Sequence, residues 1–225
     1  MTTLNSGESF DDYVTRWYDD MVSHFESSQA KAASPVGEPA PTEPRPTIKP
    51  FDTAGVAPCV VQAYNACREW LSDIIRRRRR PHMLSLLGSS GCGKTHLARN
   101  TKAALLSHGI SCTMRTWAQI LTDMRTGDAA YIIHSLCQPR VLILDDVGAE
   151  NLGSEWAHDN STSSLGEVLD GRVGKWTMIT SNFLTGQFAE NYDARIASRI
   201  HRDNAVIIQM PDAADYALAE FKKRS

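Results

Sequence analysis

Five short apolar runs alternate with longer segments in which apolar residues recur every three or four positions. The runs predict buried strands, and the recurrence predicts helices that bury one face. The predicted strands are 83–87, 109–114, 141–146, 176–182 and 205–209. The predicted helices are 58–75, 96–106, 117–125, 129–137, 185–191 and 193–200, with a partly helical segment at 153–172. Strands that alternate with helices in this way predict an α/β fold.

The apolar residues at positions 10–25 form a single stripe along a further predicted helix. More than half of them are aromatic, and four aspartates lie on the opposite face. Ser9 is the predicted N-cap, with Asp12 in the first turn. Residues 27–50 contain six prolines among small and polar residues, which predicts an extended, disordered linker. The helix either docks on another protein or folds back on its own domain; we favour docking because so long a linker is unnecessary for folding back.

The length of the chain limits the remainder to one substantial domain. With 225 residues, 42% of them hydrophobic, the chain can bury one core and carry an appendage. We therefore predict a docking helix at 1–26, a linker at 27–50 and a single domain at 51–225. The net charge is −2, and positions 1–50 hold four basic against eight acidic residues. This balance does not indicate a protein dominated by neutralisation of nucleic-acid charge, although a local basic groove is compatible with it.

The cysteines and the hydropathy pattern narrow the cellular setting. The five cysteines include no C-x-x-C pair, and their odd number indicates neither a zinc knuckle nor a complete disulfide framework. No apolar stretch approaches the roughly 18 to 20 residues that span a bilayer, and no N-terminal apolar signal region is present. These features predict a cytoplasmic protein in a reducing compartment, with no membrane partner.

A glycine-rich loop at positions 88–95 has the form G-x-x-x-x-G-K-T and joins a predicted strand to a predicted helix. Its glycines allow successive backbone N–H groups to face a polyphosphate, which the positive end of the following helix also attracts. Lys94 would bring a positive charge to the outer phosphates, and Thr95 would offer its hydroxyl to Mg²⁺. The predicted nucleotide-contacting residues are Gly88, Ser89, Ser90, Gly91, Cys92, Gly93, Lys94, Thr95 and His96.

Polar side chains follow two of the other predicted strands. Asp145 and Asp146 end the strand at 141–146, at the edge of an open α/β sheet where ligands bind. Asp145 is placed to hold the Mg²⁺ that Thr95 also contacts, and Asp146 to polarise the attacking water. Asn182, at the end of the next predicted strand, would orient that water or contact the γ-phosphate; it could instead cap the following helix.

Two groups of arginines have more than one interpretation. Arg195 and Arg199 lie four positions apart on one helix face, where they would either stabilise phosphoryl charge in a neighbouring subunit or form ordinary surface ion pairs. The five consecutive arginines at 76–80 follow a predicted helix. They could contact nucleic-acid phosphates, but a solvated charged run is the more common arrangement.

Together these motifs resemble those of the AAA+ ATPases of the DnaC/DnaI helicase-loader and IstB group, over roughly residues 51–210. The resemblance rests on G-K-T-H-L-A at 93–98, D-D-V-G-A-E at 145–150, T-S-N at 180–182 and the segment 195–199. It implies a five-stranded parallel sheet flanked by helices, ATP as nucleotide, Asn182 as a sensor, and Arg199 as an arginine finger acting on a neighbouring copy with support from Arg195. Residues 210–225 are too few for the helical lid that most AAA+ proteins carry.

The resemblance also implies partners. Such loaders oligomerise, grip single-stranded DNA and bind the replicative helicase through an N-terminal element, which residues 9–26 would provide here. The segment 117–137 lies where the family inserts DNA-contacting helices, with Arg125 and Tyr131 as candidates; core packing is the stronger expectation for Tyr131 and Trp117. The N-terminal region lacks the zinc-binding cysteines of some loaders, which would suit a compact phage-type or prophage-type protein.

The resulting hypothesis is an ATPase that loads the replicative helicase onto single-stranded DNA. One alternative is an IstB-like transposition helper that binds duplex DNA and a transposase. A second is a nucleotide-switched adaptor with little turnover, against which Asp146 argues weakly.

Overall fold

The computed structural model describes residues 57–77, 83–149, 155–202, 204–211 and 213. The predicted helix at 10–25, the proline-rich segment at 27–50 and most of 210–225 lie outside the described residues. The division into 1–26, 27–50 and 51–225 therefore stays a prediction.

Five strands form one parallel sheet. They are β1 (Met83–Gly88), β2 (Cys112–Thr116), β3 (Val141–Val147), β4 (Trp176–Ser181) and β5 (Val206–Met210). Their order across the sheet is β2-β3-β4-β1-β5, and each neighbouring pair is parallel. The predicted five-stranded parallel sheet is confirmed. Because β4 lies between β1 and β3, the end of β4 stands between the glycine-rich loop and the two aspartates.

Seven helices connect and cover the strands in the described part of the chain. They are α1 (Pro58–Ile75), α2 (Lys94–Ser107), α3 (Trp117–Thr126), α4 (Ala129–Cys137), α5 (Glu155–Gly171), α6 (Thr185–Asn191) and α7 (Ala194–His201). Pro58 begins α1, where its missing N–H costs nothing. Asp128 and Asp193 cap α4 and α7 by accepting hydrogen bonds from the N–H groups of Tyr131 and Ile196. These caps fix the starts of both helices close to the predicted positions.

Burial explains why the sequences of β1 and β3 are largely apolar. Every residue of β1 and β4 is buried, and so is every residue of β3 except Asp146. The edge strands are less buried, as expected for strands with one open side: Cys112 is the one buried residue of β2, and β5 buries only Ile208 and Met210. Trp117 lies in the core, fully buried, and its indole N–H donates to Ser161 Oγ at 2.9 Å. It is therefore not available for contact with DNA.

Candidate nucleotide-binding site

The glycine-rich loop depends on glycine at its two ends. Gly88 has φ 155°, and a Cβ there would overlap the carbonyl group of Met210 in β5. Gly93 has φ 95° and is the N-cap of α2. Both angles lie in the region that side chains rarely adopt, so glycine is required to lead the chain from β1 into α2. The N-terminus of α2, with its unpaired N–H groups, therefore lies at the loop.

Lys94 links the loop to the end of β4. Its side chain is buried, with 6% of the residue exposed. The ammonium group donates to the carbonyl oxygens of Gly88 at 2.9 Å and Ser89 at 2.7 Å, and to Asn182 Oδ1 at 3.0 Å. The lysine and the asparagine, 88 positions apart in the sequence, thus come together as predicted residues of one site.

Asp145 lies beside Thr95 and is held in place by β4. Thr95 donates to Asp145 Oδ1 at 3.1 Å, and Thr180 donates to the same oxygen at 2.6 Å. Asp145 is 2% exposed. A carboxylate next to a hydroxyl is the oxygen-rich donor set that Mg²⁺ prefers, so both residues fit the ion predicted for this position.

A bulge in β3 places Asp146 at the same edge as Asp145. Leu144 pairs with Ile179 and Val147 with Ser181, so β3 has one more residue than β4 in this interval. Asp146 has φ 59°, and its N–H donates to Thr180 Oγ1 at 2.9 Å instead of to a strand carbonyl. Successive side chains on a regular strand point to opposite faces, and a bulge re-aims them. The carboxylate of Asp146 accepts a hydrogen bond from Asn182 Nδ2 at 3.2 Å.

These residues surround a cavity of about 310 Å³. It is lined by Ser90, Gly91, Gly93, Lys94, Thr95, His96, Asp146 and Asn182. Asp145 lies behind Thr95, and Cys92 is fully buried, with its Sγ 3.7 Å from the Lys94 ammonium. The predicted phosphate-binding, metal-binding and water-orienting residues therefore lie in one place.

His96 lines this cavity as a partly buried imidazole. Its Nε2 lies 2.9 Å from Asn100 Nδ2. Burial, and after it the charge of Arg99, lower the pKa of His96 below its usual value. The ring is therefore neutral near pH 7 and adds no charge of its own to the cavity.

The two predicted arginines lie outside the cavity. Arg195 and Arg199 are on α7 and line a separate groove of about 510 Å³ between α5 and α7. Arg199 forms a bidentate pair with Asp170, through Nε at 2.9 Å and Nη2 at 2.6 Å. Arg195 is 81% exposed and donates to Asp193 at 2.9 Å. Both arginines thus have the surface ion pairs that were one of the two interpretations of their spacing, and neither contacts the phosphate loop of its own chain.

Sequence analysis quoted Thr180 in the T-S-N motif but assigned it no role, and it did not identify Asp170. Thr180 precedes Asn182 by two positions, so on a strand it shares the face of that residue. This two-residue spacing could have predicted that the Thr180 hydroxyl lies near Asp145. The sequence contains no comparable signal for Asp170, because its ion pair with Arg199 joins positions 29 apart on two different helices.

The α3–α4 segment has both buried and exposed candidates for nucleic-acid contact. Tyr131 is 70% exposed, contrary to the expectation that it packs in the core. Arg125 in the last turn of α3 is also exposed. Of the arginine run, Arg76 and Arg77 are exposed after the end of α1, and 78–80 lie outside the described residues.

The described residues contain neither a second candidate metal site nor a candidate membrane-spanning helix. Within the described ranges, no group of three or more His, Cys, Asp or Glu side chains could hold a metal ion. The five cysteines are all free. No described helix has the length and apolar character needed to cross a bilayer.

Known structures with this fold include replication proteins. A crystal structure of DnaI is 22% identical with a TM-score of 0.53, covering 66% of this chain and 82% of that one. The DnaC helicase loader is 24% identical with a TM-score of 0.52, covering 65% and 90%. AMPPCP-bound DnaA from Aquifex aeolicus is 17% identical with a TM-score of 0.56, covering 75% and 52%. At these identities the likeness shows a shared fold.

Sequence comparison assigns the family. No curated protein sequence matches the chain significantly. The family model described as IstB-like ATP binding protein matches residues 75–202, which is more than half of the chain and includes the phosphate loop, both aspartates, Asn182 and Arg199. The chain therefore belongs to the IstB-like ATP-binding proteins of the AAA+ group.

Proposed function

We propose that this protein is an ATP-hydrolysing loader of the replicative DNA helicase onto single-stranded DNA. The observation that carries the ATPase part is the convergence of Lys94, Thr95, Asp146 and Asn182 on one cavity, with Asp145 hydrogen-bonded to Thr95 behind it. The fold shared with DnaI and with the DnaC helicase loader supports the replication part.

The phosphates of ATP would be bound by the loop and by the start of α2. Backbone N–H groups of the loop and the positive end of α2 attract the β- and γ-phosphates, and Lys94 exchanges its contacts with Gly88 and Ser89 for the phosphate oxygens. Thr95 and Asp145 would hold Mg²⁺, which neutralises charge on the phosphates when bound.

Hydrolysis requires a water aligned with the γ-phosphate. Asp146 would accept a hydrogen bond from this water and then its proton, while the water oxygen forms a bond to phosphorus and the bond to the ADP oxygen breaks. Asn182 donates to Asp146 and accepts from Lys94, so its amide connects the base to the phosphate-binding charge. The products are ADP and inorganic phosphate.

A second copy of the chain would complete the site. Developing charge on the γ-phosphate is commonly stabilised by an arginine supplied by another subunit. Arg199 does not line the cavity of its own chain and lies partly exposed on α7, with 25% of its side chain accessible. We assign Arg199 to the neighbouring copy's site, with Arg195 supporting the contact, and infer a homo-oligomer with ATP at subunit boundaries.

We assign the DNA contacts and the helicase contact to residues other than those of the nucleotide site. Exposed Tyr131 and Arg125 on the α3–α4 segment are of the types that stack on bases and contact phosphates of single strands. Residues 9–26 would dock on the helicase, joined by the linker at 27–50 to the ATPase domain at 51–225. These events belong to the cytoplasm.

ATP turnover of the full chain with different DNAs tests this proposal. We expect hydrolysis to rise more with single-stranded than with duplex DNA of the same sequence, and to be absent in Lys94→Ala. A peptide of residues 9–26 should capture the purified replicative helicase of the source cell, whereas a peptide with Trp17 and Phe25 changed to aspartate should not. Turnover without capture would contradict the loader function and leave the ATPase.

The IstB-like family match favours one second candidate, a transposition helper. Such a protein would respond more strongly to duplex DNA and bind a transposase. Stronger stimulation by duplex, with no helicase capture, would favour this function. Nucleotide binding with no turnover under any of these conditions would instead favour a nucleotide-switched adaptor.

A further inference from the structure

Two arginines of the α7 region converge on one carboxylate. Asp170 Oδ1 and Oδ2 accept from Arg199 Nε at 2.9 Å and Nη2 at 2.6 Å. Arg202 Nη1 donates to Asp170 Oδ1 at 3.0 Å, and its Nη2 donates to the Leu169 carbonyl at 2.7 Å. Asp170 and Leu169 are in the last turn of α5, so the end of α5 holds both arginines.

The two guanidinium groups lie at an electrostatically favourable place, the C-terminal end of α5. The last carbonyl groups of a helix carry partial negative charge, and cations are stabilised there. The fork of an arginine also matches a carboxylate with two parallel hydrogen bonds, which fix the plane of the guanidinium. The bonds from Arg199 are the largest cause that lowers the pKa of Asp170 to about 2, so the carboxylate is ionised throughout the physiological range.

The bidentate pair leaves one edge of Arg199 available. Nε and Nη2 are bonded to Asp170, and Nη1 makes no hydrogen bond within the described residues. The Arg199 side chain is 25% exposed. Arg195, in contrast, is 81% exposed and contacts Asp193 of its own helix start. The structure therefore restrains the orientation of Arg199 much more than that of Arg195.

We propose that Asp170 is a positioning residue, which holds Arg199 so that its Nη1 edge points away from its own chain toward the γ-phosphate bound by a neighbouring copy. This inference rests on the proposed function, in which Arg199 acts on that phosphate. Arg202 stabilises this arrangement because it donates hydrogen bonds both to the Asp170 carboxylate and to the neighbouring Leu169 carbonyl. A guanidinium that is already oriented loses less freedom when it meets the phosphate, which speeds the reaction without altering ATP affinity.

A double-mutant cycle in the full chain tests this role. Asp170→Asn keeps the size of the side chain but removes its charge and the symmetric pair of acceptor oxygens. We expect kcat to fall on the order of tenfold to a hundredfold, with the Kd for ATP and the melting temperature nearly unchanged. In an Arg199→Ala background the same substitution should have no further effect, and Asp170→Glu should restore part of the activity. Glu190→Gln, an exposed carboxylate on α6, is the matched control.

Three results would overturn the inference, and the first two would leave the proposed function standing. An equal loss from Asp170→Asn in both backgrounds would show that it does not act through Arg199. Full activity of Asp170→Asn, beside a damaged Arg199→Ala, would remove the positioning role and leave the ATPase intact. An enzyme without measurable hydrolysis, under all the DNA conditions above, would contradict the proposed function and this inference together.

Discussion

The phosphate cavity and the α5–α7 groove both contain charged residues that the proposed reaction needs, but in opposite environments. In the cavity, Lys94 and Asp145 are 6% and 2% exposed, and both are hydrogen-bonded within the chain. In the groove, the Arg195 side chain is 81% exposed and that of Asp170 47%. One chain therefore preorganises the phosphate-binding groups, whereas the groove leaves its arginines accessible to another molecule.

An aromatic cluster connects the two regions. Phe183 directly follows Asn182 and packs edge-on against Phe188 at 5.8 Å and Tyr192 at 6.2 Å between ring centroids. Tyr192 lines the groove beside Arg195 and Arg199. The packed rings thus form a continuous contact from the residue after Asn182 to the groove.

The largest expected effect is in the cavity. Lys94→Ala removes the buried charge and three hydrogen bonds to Gly88, Ser89 and Asn182, so we expect ATP binding to be lost. Titration with a fluorescent ATP analogue measures it. Lys102→Ala, on the same helix but only half-buried, should bind normally. Normal binding by Lys94→Ala would refute the assignment of this cavity to the nucleotide.

Arg199→Ala should separate binding from turnover. ATP affinity should stay near that of the wild type, while oligomer-dependent hydrolysis falls about 10³-fold, the lower end of what arginine fingers contribute. Steady-state turnover at high protein concentration measures this loss.

Mixing two inactive variants then locates the arginine. In an equal mixture of Lys94→Ala and Arg199→Ala chains, about a quarter of head-to-tail interfaces join an intact cavity to an intact Arg199, so turnover should partly return. A mixture as inactive as its components would mean that Arg199 does not act on a neighbour.

Asn182→Ala should reduce turnover by about 10²-fold, similar to the loss of one oriented donor in other active sites. The substitution removes the amide that joins Lys94 to Asp146, so kcat should change more than ATP affinity. Asn191→Ala, a half-buried asparagine at the end of α6 and away from the cavity, is the control. Equal turnover in both variants would exclude Asn182 from the reaction.

Gly148→Ala tests the packing of the aromatic cluster that lies between the two regions. Gly148 has φ 91°, and a Cβ there would lie 2.5 Å from the ring of Phe183. We expect a loss of about 1–3 kcal/mol in the free energy of unfolding, from backbone strain and displacement of the ring. Urea denaturation measures it. Gly186→Ala is the control, because its Cβ would meet nothing within 4 Å on α6 and should stabilise slightly.

The smallest effect is the pH dependence from His96. Its pKa is lowered in the fold, so between that value and the unfolded value near 6.5 the unfolded chain binds more protons. The contribution of the neutral ring is therefore complete above about pH 6.5 and decreases as the pH falls below it. His96→Gln should flatten the decrease in melting temperature between pH 7 and 5.5. An unchanged slope in His96→Gln would contradict burial of the ring.

Much of the fold and cavity followed from the sequence because the signals are local. Strand β3 was recognisable from four apolar residues before Asp145, since a strand buried on both faces needs no alternation. The loop from Gly88 to Thr95 was recognisable because bound phosphate demands a fixed spacing of glycine, lysine and hydroxyl. Parallel strands then bring their carboxyl ends together, which placed Asn182 near Asp145 without further information.

The remaining features depend on contacts that local patterns do not contain. The bulge in β3 arises from the register against β4, and no glycine marks it. The pairing of Asp170 with Arg199 depends on how α5 packs on α7. Exposure of Tyr131 was also misjudged, because an aromatic residue at helical spacing most often faces the core, whereas here only Leu136 of α4 is buried.

The left-handed backbone at Asp146 restricts the amino acids that can occupy this position. Asparagine and aspartate tolerate φ near 59° better than other residues with a side chain, and a β-branched residue would be strained there. Asp146→Asn is thus a substitution that would remove the proposed proton acceptor while preserving the chain path. A longer acid such as glutamate would extend farther but would strain the left-handed backbone at this position. Aspartate is therefore the residue that both tolerates this conformation and carries a carboxylate.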